Sequence, residues 1–167
     1  MVIRPEVFRG FSQDISNPQT TLLLDRLSSL CGKGEYILFV SNLPRDLEKK
    51  VFVNLAYYPF SGWQFGPLAI DKRKNLKLVK NLWSSSYGTP LYFIITSRHT
   101  ATSFEKVKEV IIRLERNLSG IATYFTYNSP AKTEAPILLS YFNKVAMMGH
   151  DGETLEIYNA PAGPADE

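Results

Sequence analysis

The sequence predicts an α+β fold, in which a twisted, mostly antiparallel sheet of five to seven strands packs against two or three helices. Short runs rich in β-branched and aromatic residues, separated by turn-forming residues, indicate the strands. Stretches with apolar residues spaced three and four apart indicate the helices. The 167 residues are 44% hydrophobic and 21% charged, which suits one packed domain. We predict an N-terminal arm over residues 1–16, a domain over residues 17–158 and a flexible acidic tail over residues 159–167.

The helices are predicted from their end signals and apolar faces. The first begins at Asn17, a good N-cap residue that precedes a leucine-rich stripe. The second begins at a capping box formed by Thr102 and Glu105, and Gly120 ends it. A third helix is predicted over residues 137–149, with a strand as the alternative there.

The strands are predicted from alternation and from β-branched or aromatic content. The strand that begins at Leu91 is the most apolar, so we expect it at the centre of the sheet. Pro67 predicts an edge or a bulge in its strand, because proline cannot donate a ladder hydrogen bond. Val51 and Val53 favour a strand over a helix, since β-branched residues lose side-chain freedom in a helix. The predicted strands cover residues 36–41, 51–58, 63–70, 76–82, 91–97, 121–127 and 154–158.

Catalytic and metal sites are difficult to build from this sequence, which holds one cysteine and two histidines. Cys31 completes the apolar stripe of the first helix, so we expect it in the core. His99 and His150 are 51 residues apart, whereas zinc sites use closely spaced ligand pairs. We therefore predict no catalytic residue, no metal and no cofactor. A small enzyme with a carboxylate site that no sequence pattern marks is an alternative.

The charge of the chain is distributed unevenly. All 19 Lys and Arg residues lie at or before Lys144, where only 11 acids accompany them. The remaining 23 residues contain five acids and no base, so the overall net charge is only +3. A basic body of this kind predicts an anionic partner.

A basic β-hairpin over residues 72–80, flanked by Trp63, Trp83 and Tyr87, is the predicted binding feature. Cations on a hairpin with aromatic rings beside them suit phosphate neutralisation and base stacking. The competing explanation is a solvated turn whose lysines protect an edge strand. The predicted contacts with the anionic partner are Lys72, Arg73, Lys74, Lys77 and Lys80, with Trp63, Trp83 and Tyr87 as candidate aromatic contacts.

We expect a non-catalytic binding or assembly protein that engages nucleic acid or an acidic membrane or protein surface. A viral matrix-type structural protein, with peripheral membrane contact and a homo-oligomeric state, fits this composition by analogy. No apolar stretch reaches the ~20 residues that span a bilayer, and the first residues lack the apolar core of a signal peptide. An intracellular location, cytoplasmic or nuclear, is expected, rather than secretion.

Residues 37–44, Ile-Leu-Phe-Val-Ser-Asn-Leu-Pro, resemble the first-strand motif of RNA-recognition-motif domains. The later order of a strand near Leu91, a helix from Phe104 and a strand from Ile121 is also similar to that family. The resemblance implies an RNA-binding domain whose central-strand aromatic rings stack on bases. Residues 86–93 occupy the place of the second motif, with Pro90 where the family has a small or aromatic residue. We retain this as an alternative without assigning the chain to the family.

Overall fold

The computed structural model describes residues 5–11, 22–52, 57–68, 73–86, 89–97, 100–119, 130–149 and 153–160. No helix in these ranges is long and apolar enough to cross a membrane. The elements, in chain order, are β1 (Glu6–Arg9), α1 (Leu22–Ser29), β2 (Tyr36–Ser41), α2 (Arg45–Val51), β3 (Tyr58–Phe60), β4 (Trp63–Leu68), α3 (Arg73–Ser85), β5 (Leu91–Thr96), α4 (Thr100–Ser119), α5 (Pro130–Leu139), β6 (Lys144–Gly149) and β7 (Thr154–Asn159).

All seven strands form one antiparallel sheet in the order β1-β7-β6-β5-β2-β4-β3. The predicted α+β class and strand number are confirmed. β5 lies in the middle of the sheet, as its apolar sequence predicted. Part of the predicted N-terminal arm is the edge strand β1, which pairs with β7.

Helices cover both faces of the sheet. α1, α2 and α3 pack on one face, where Ile37 and Phe39 of β2 point. α4 and α5 pack on the other face, against Leu38 and Val40 of the same strand. The predicted number of two or three helices was too low, since five helices lie among the described residues. Two-sided coverage explains why β5 is buried along its whole length.

Two predicted strands were wrong: one segment is helical throughout, and the described residues of the other are the end of α2 and the start of β3. Residues 76–82 belong to α3. The alternation of Leu76, Lys77 and Leu78 suggested a strand, but the wider apolar pattern has helical spacing. Residues 51–58 hold the last residue of α2 and the first of β3, and residues 53–56 lie outside the described ranges. The buried side chains of α3 are Leu78, Val79, Leu82 and Trp83.

Most of the other predicted strands are confirmed by the structure. β2, β4, β5 and β7 occur where they were predicted, and residues 121–127 lie outside the described part of the chain. Pro67 faces Leu38 of β2, but it lies beyond Phe65, the last β4 residue that pairs with β3. The position that the β3–β4 register would place opposite Pro67 lies within residues 53–56, outside the described ranges, so the predicted edge or bulge stays a prediction.

The predicted helices are present with different limits. α4 begins at Thr100, so Thr102 and Glu105 lie inside the helix and the predicted capping box is wrong. The third helix is α5, which ends at Leu139. The strand considered as the alternative for residues 137–149 forms in the second part of that range, as β6. The predicted cap Asn17 and the predicted end at Gly120 lie outside the described ranges.

Candidate anion-binding surface

The cations predicted to form a hairpin lie on helix α3. Lys77 is exposed and Lys80 is partly exposed, on the side opposite the buried stripe of this helix. Arg73 and Lys74 occupy the first turn of α3, and their side chains are not described. Lys72 and Tyr87 lie outside the described residues. The hairpin geometry was wrong, whereas anion binding by these residues stays a prediction.

The two tryptophans proposed as aromatic contacts belong to the core. Trp63 is 2% exposed and Trp83 is fully buried, on opposite faces of the sheet. Neither indole ring therefore offers a face to a binding partner. Their buried positions follow from β4 and α3 each packing an apolar side against the rest of the protein.

Helix α2 adds three cations that the sequence prediction missed. Arg45, Lys49 and Lys50 are all exposed, and α2 packs directly against α3. The signal available in the sequence was the spacing of Leu47 and Val51, four residues apart, which places one apolar side inward. We call the side of α2 and α3 that carries Arg45, Lys49, Lys50, Lys77 and Lys80 the basic surface.

The basic surface carries an excess of positive charge. α2 and α3 together contain seven basic residues and two acids, both in α2. α4 and α5, on the opposite face, contain five basic residues and four acids. Within the described ranges, none of the five cations of the basic surface forms an ion pair. A cation without an internal partner is available to an external anion.

A groove of about 460 Å³ lies between α2 and the β3–β4 hairpin, beside the basic surface. We call it the α2–β3 groove. It is lined by Leu43, Arg45, Glu48, Lys49, Tyr57, Pro59, Gly62 and Trp63. Its volume is in the range of small-molecule clefts, roughly 300–1,000 Å³. The groove brings two cations of the basic surface beside the partly exposed ring of Tyr57, while the buried Trp63 also contributes to its wall.

A buried glutamine holds two walls of the α2–β3 groove together. The Gln64 carbonyl oxygen accepts hydrogen bonds from the Leu43 backbone N–H (2.9 Å) and the Ser41 hydroxyl (3.0 Å). Its amide nitrogen donates to the backbone oxygens of Leu43 (3.2 Å) and Gly62 (3.1 Å). All the polar atoms of this side chain are thereby satisfied inside the protein. The network fixes the loop before α2 relative to the β3–β4 turn.

The aromatic side chain of the α2–β3 groove ends a column of three stacked rings. Phe39 stacks on Phe52 with ring centroids 5.4 Å apart, and Phe52 stacks on Tyr57 at 4.4 Å. Phe39 and Phe52 are buried, and Tyr57 is partly exposed. The Glu48 carboxylate lies close to the Tyr57 hydroxyl, and its hydrogen-bonding influence raises the pKa of this phenol.

A larger groove, of about 690 Å³, lies between α4 and α5. Two of its three charged side chains are the acids Glu105 and Glu109, with Lys106 as the base. Glu105 already forms an ion pair with Lys108, at 3.3 Å. The larger groove therefore lacks the positive balance that an anion requires, despite its size.

Two carboxyl groups lie in unfavourable surroundings between α5 and β7. Burial raises the pKa of Glu134, and the charge of Glu156 adds to this rise. Burial also raises the pKa of Glu156. The Tyr92 side chain is 1% exposed, and its hydroxyl lies close to Glu134 without forming a well-aligned hydrogen bond. Neither of the two grooves is lined by these acids.

The other residues considered for chemistry offer no site. Cys31 packs partly buried against the core, and burial together with the charge of Glu35 raises the pKa of its thiol. Such a rise disfavours the reactive thiolate. The described residues contain no cluster of three or more His, Cys, Asp or Glu side chains that could hold a metal ion. His99 and His150 lie outside the described ranges.

Base stacking on the sheet, which the RNA-recognition-motif resemblance implies, finds the central-strand rings Phe39, Tyr92 and Phe93 buried. Phe39 and Phe93 are covered by the α1–α3 layer, and Tyr92 is covered by the α4–α5 layer. Neither a protein-family model, nor a curated protein, nor a solved structure matches this chain.

Proposed function

We propose that the protein is a non-catalytic binding protein whose basic surface engages the phosphate backbone of nucleic acid. The observation that carries this proposal is a set of cations on two neighbouring helices that form no ion pair among the described residues. Binding a polyanion releases its condensed counterions, and each neutralised phosphate adds to the affinity.

The apolar residues of α2 and α3 favour nucleic acid over a lipid membrane as the partner. A helix that lies in a membrane interface needs an apolar side directed at the lipid. The apolar side of α3 instead packs into the core, through residues such as Leu82 and Trp83. Of the large hydrophobic side chains found exposed in the described ranges, none belongs to α2 or α3. Assembly into an oligomeric shell stays a prediction of composition alone.

The test compares the removal of three cations from the basic surface with the removal of two cations from the opposite face. The triple variant Lys49→Ala, Lys77→Ala and Lys80→Ala is expected to weaken oligonucleotide binding. The slope of log K against log salt should fall by about 0.7–0.9 for each phosphate that the variant no longer neutralises. The control is Lys106→Ala with Lys108→Ala on α4, which removes the same charge type from the other layer.

Fluorescence anisotropy with a labelled oligonucleotide, measured at several salt concentrations, provides the readout. An unchanged salt slope in the triple variant would contradict the proposal. Sedimentation with phosphatidylserine vesicles, without any oligonucleotide binding, would identify a membrane as the partner instead. Circular dichroism should show the fold unchanged, because the substituted residues lie outside the core.

A further inference from the structure

We infer that the α2–β3 groove holds one unpaired base of a single-stranded nucleic acid, stacked on Tyr57, with a flanking phosphate at Arg45 and Lys49. This inference rests on the proposed function and specifies its partner, since the groove selects single strands over duplexes. The argument comes from the geometry of the ring, its fixation and the charge beside it.

Tyr57 is the outermost ring of the column that starts in the core. Phe52 covers one face of the phenol at a centroid distance of 4.4 Å and an interplanar angle of 22°. Tyr57 also lines the α2–β3 groove, and Phe52 does not. A base that enters the groove would extend the column as a fourth stacked ring. An aromatic side chain can stack on any base, whatever the nucleotide sequence, because every base has a π face.

The ring of Tyr57, on which the base would stack, is held in place before any ligand binds. The Tyr57 ring rests on Phe52, and the Glu48 carboxylate of α2 lies close to the Tyr57 hydroxyl. The Gln64 network fixes the opposite walls at Leu43 and Gly62. A binding surface that is already ordered loses less entropy when the partner binds.

The charge at the mouth of the groove suits a phosphate. Arg45 and Lys49 are one helical turn apart on α2, both are exposed, and neither forms an ion pair among the described residues. Glu48 is the acid that lines the same groove, so the formal charge of its ionisable chains is positive. The arginine guanidinium can bind a phosphate in a bidentate manner.

Duplex nucleic acid cannot use this arrangement without opening. Its bases stack on one another, so no π face reaches a ring on the protein. An unpaired strand presents both its base faces and its phosphates. The α2–β3 groove therefore adds a stacking contact to single strands that duplexes and abasic strands lack.

The experiment compares three probes of equal length, about 12 nucleotides: a single strand, its duplex and an abasic single strand. We expect Tyr57→Leu to weaken binding of the single strand by about 5- to 150-fold, the effect of removing one base–aromatic stack. The same variant should bind the abasic strand as the wild type does, with an unchanged salt slope. Tyr57→Phe keeps the ring and should retain most of the affinity. The matched control is Tyr141→Leu, which removes a tyrosine from the larger groove.

The outcomes separate this inference from the proposed function. If all three probes bind wild type equally, or Tyr57→Leu has no effect, the groove inference is overturned while phosphate binding by the basic surface stands. If no probe binds, the proposed function itself is wrong. Photocrosslinking of a strand that carries 5-iodouracil gives a second measurement on the unmodified protein. A crosslink at Tyr57 supports the inference, and a crosslink confined to other peptides contradicts it.

Discussion

Gln64 provides a quantitative test of the hydrogen-bond network that shapes the α2–β3 groove. Gln64→Ala removes four hydrogen bonds at a residue that is 1% exposed. The backbone N–H and C=O of Leu43, which is also buried, would lose their side-chain partners. Each buried polar group left without a partner costs about 1–3 kcal/mol.

The two Leu43 groups together set the expected size of the effect. Water that enters the space left by the truncated side chain offsets part of the cost, so we expect a loss of about 2–4 kcal/mol of unfolding free energy. For a chain of this length, each 1 kcal/mol lowers Tm by about 2–4 °C. Gln64→Ala should therefore melt roughly 4–16 °C below the wild type.

Thermal and urea unfolding, followed by circular dichroism, measure this loss. The control is Ser84→Ala, which removes a hydrogen bond to Asn81 within α3 and should cost less than about 0.5 kcal/mol. Gln64→Glu keeps the acceptors but loses both donors, and burial beside two carbonyl groups raises the pKa of the new carboxyl. Its deficit should be smallest below about pH 4.3 and should grow as pH rises through the folded-state pKa. A Gln64→Ala protein as stable as the control variant would refute the reasoning.

Two further predictions concern the acids beside α5 and the β3–β4 turn. Burial raises the pKa of Glu134, so its carboxyl contributes most to the stability of the fold when it is protonated. This contribution to the unfolding free energy is fully present below about pH 4.3 and is lost as pH rises through the folded-state pKa. Glu134→Gln should therefore raise the urea midpoint at pH 7 relative to wild type and leave it nearly unchanged at pH 4; equal midpoints at pH 7 would contradict this. Ser61 and Gly62 have φ values of 53° and 85° in a two-residue turn, the geometry that favours Asn-Gly. Ser61→Asn should raise stability by about 0.5–1 kcal/mol, and a lower Tm would exclude that explanation.

The parts of the fold that the sequence predicted are those in which one pattern dominates. β2 and β5 are short apolar runs between turn residues, and α4 carries its apolar stripe over 20 residues. α3 was misassigned because residues 76–82 alternate when viewed alone. Adding Trp83 completes a set of apolar residues at helical spacing, which only the longer window reveals.

The candidate site was only partly predictable. Lys77 was identified from local charge density, which does not depend on whether its segment is a helix or a strand. Gln64 was missed, because its role depends on hydrogen bonds with Ser41 and Leu43, which lie 23 and 21 residues away in the sequence. Stacking of Tyr57 on Phe52 brings the end of α2 close to the start of β3, an approach that the alternation of apolar residues does not specify. Glu134 and Glu156 likewise approach each other only after α5 packs on the sheet.

The strand β1 protects an edge that would otherwise be open. Glu6 pairs with Ile157, so forming this contact closes a loop that contains nearly the whole chain. Closing such a long loop has a large cost in conformational entropy. A four-residue strand with mostly exposed side chains is among the first elements to open. Its detachment would leave β7 as a bare edge and separate Phe11 from the indole of Trp83. Proteolysis near residue 10 would thus convert a capped sheet into a template for strand addition by a second molecule.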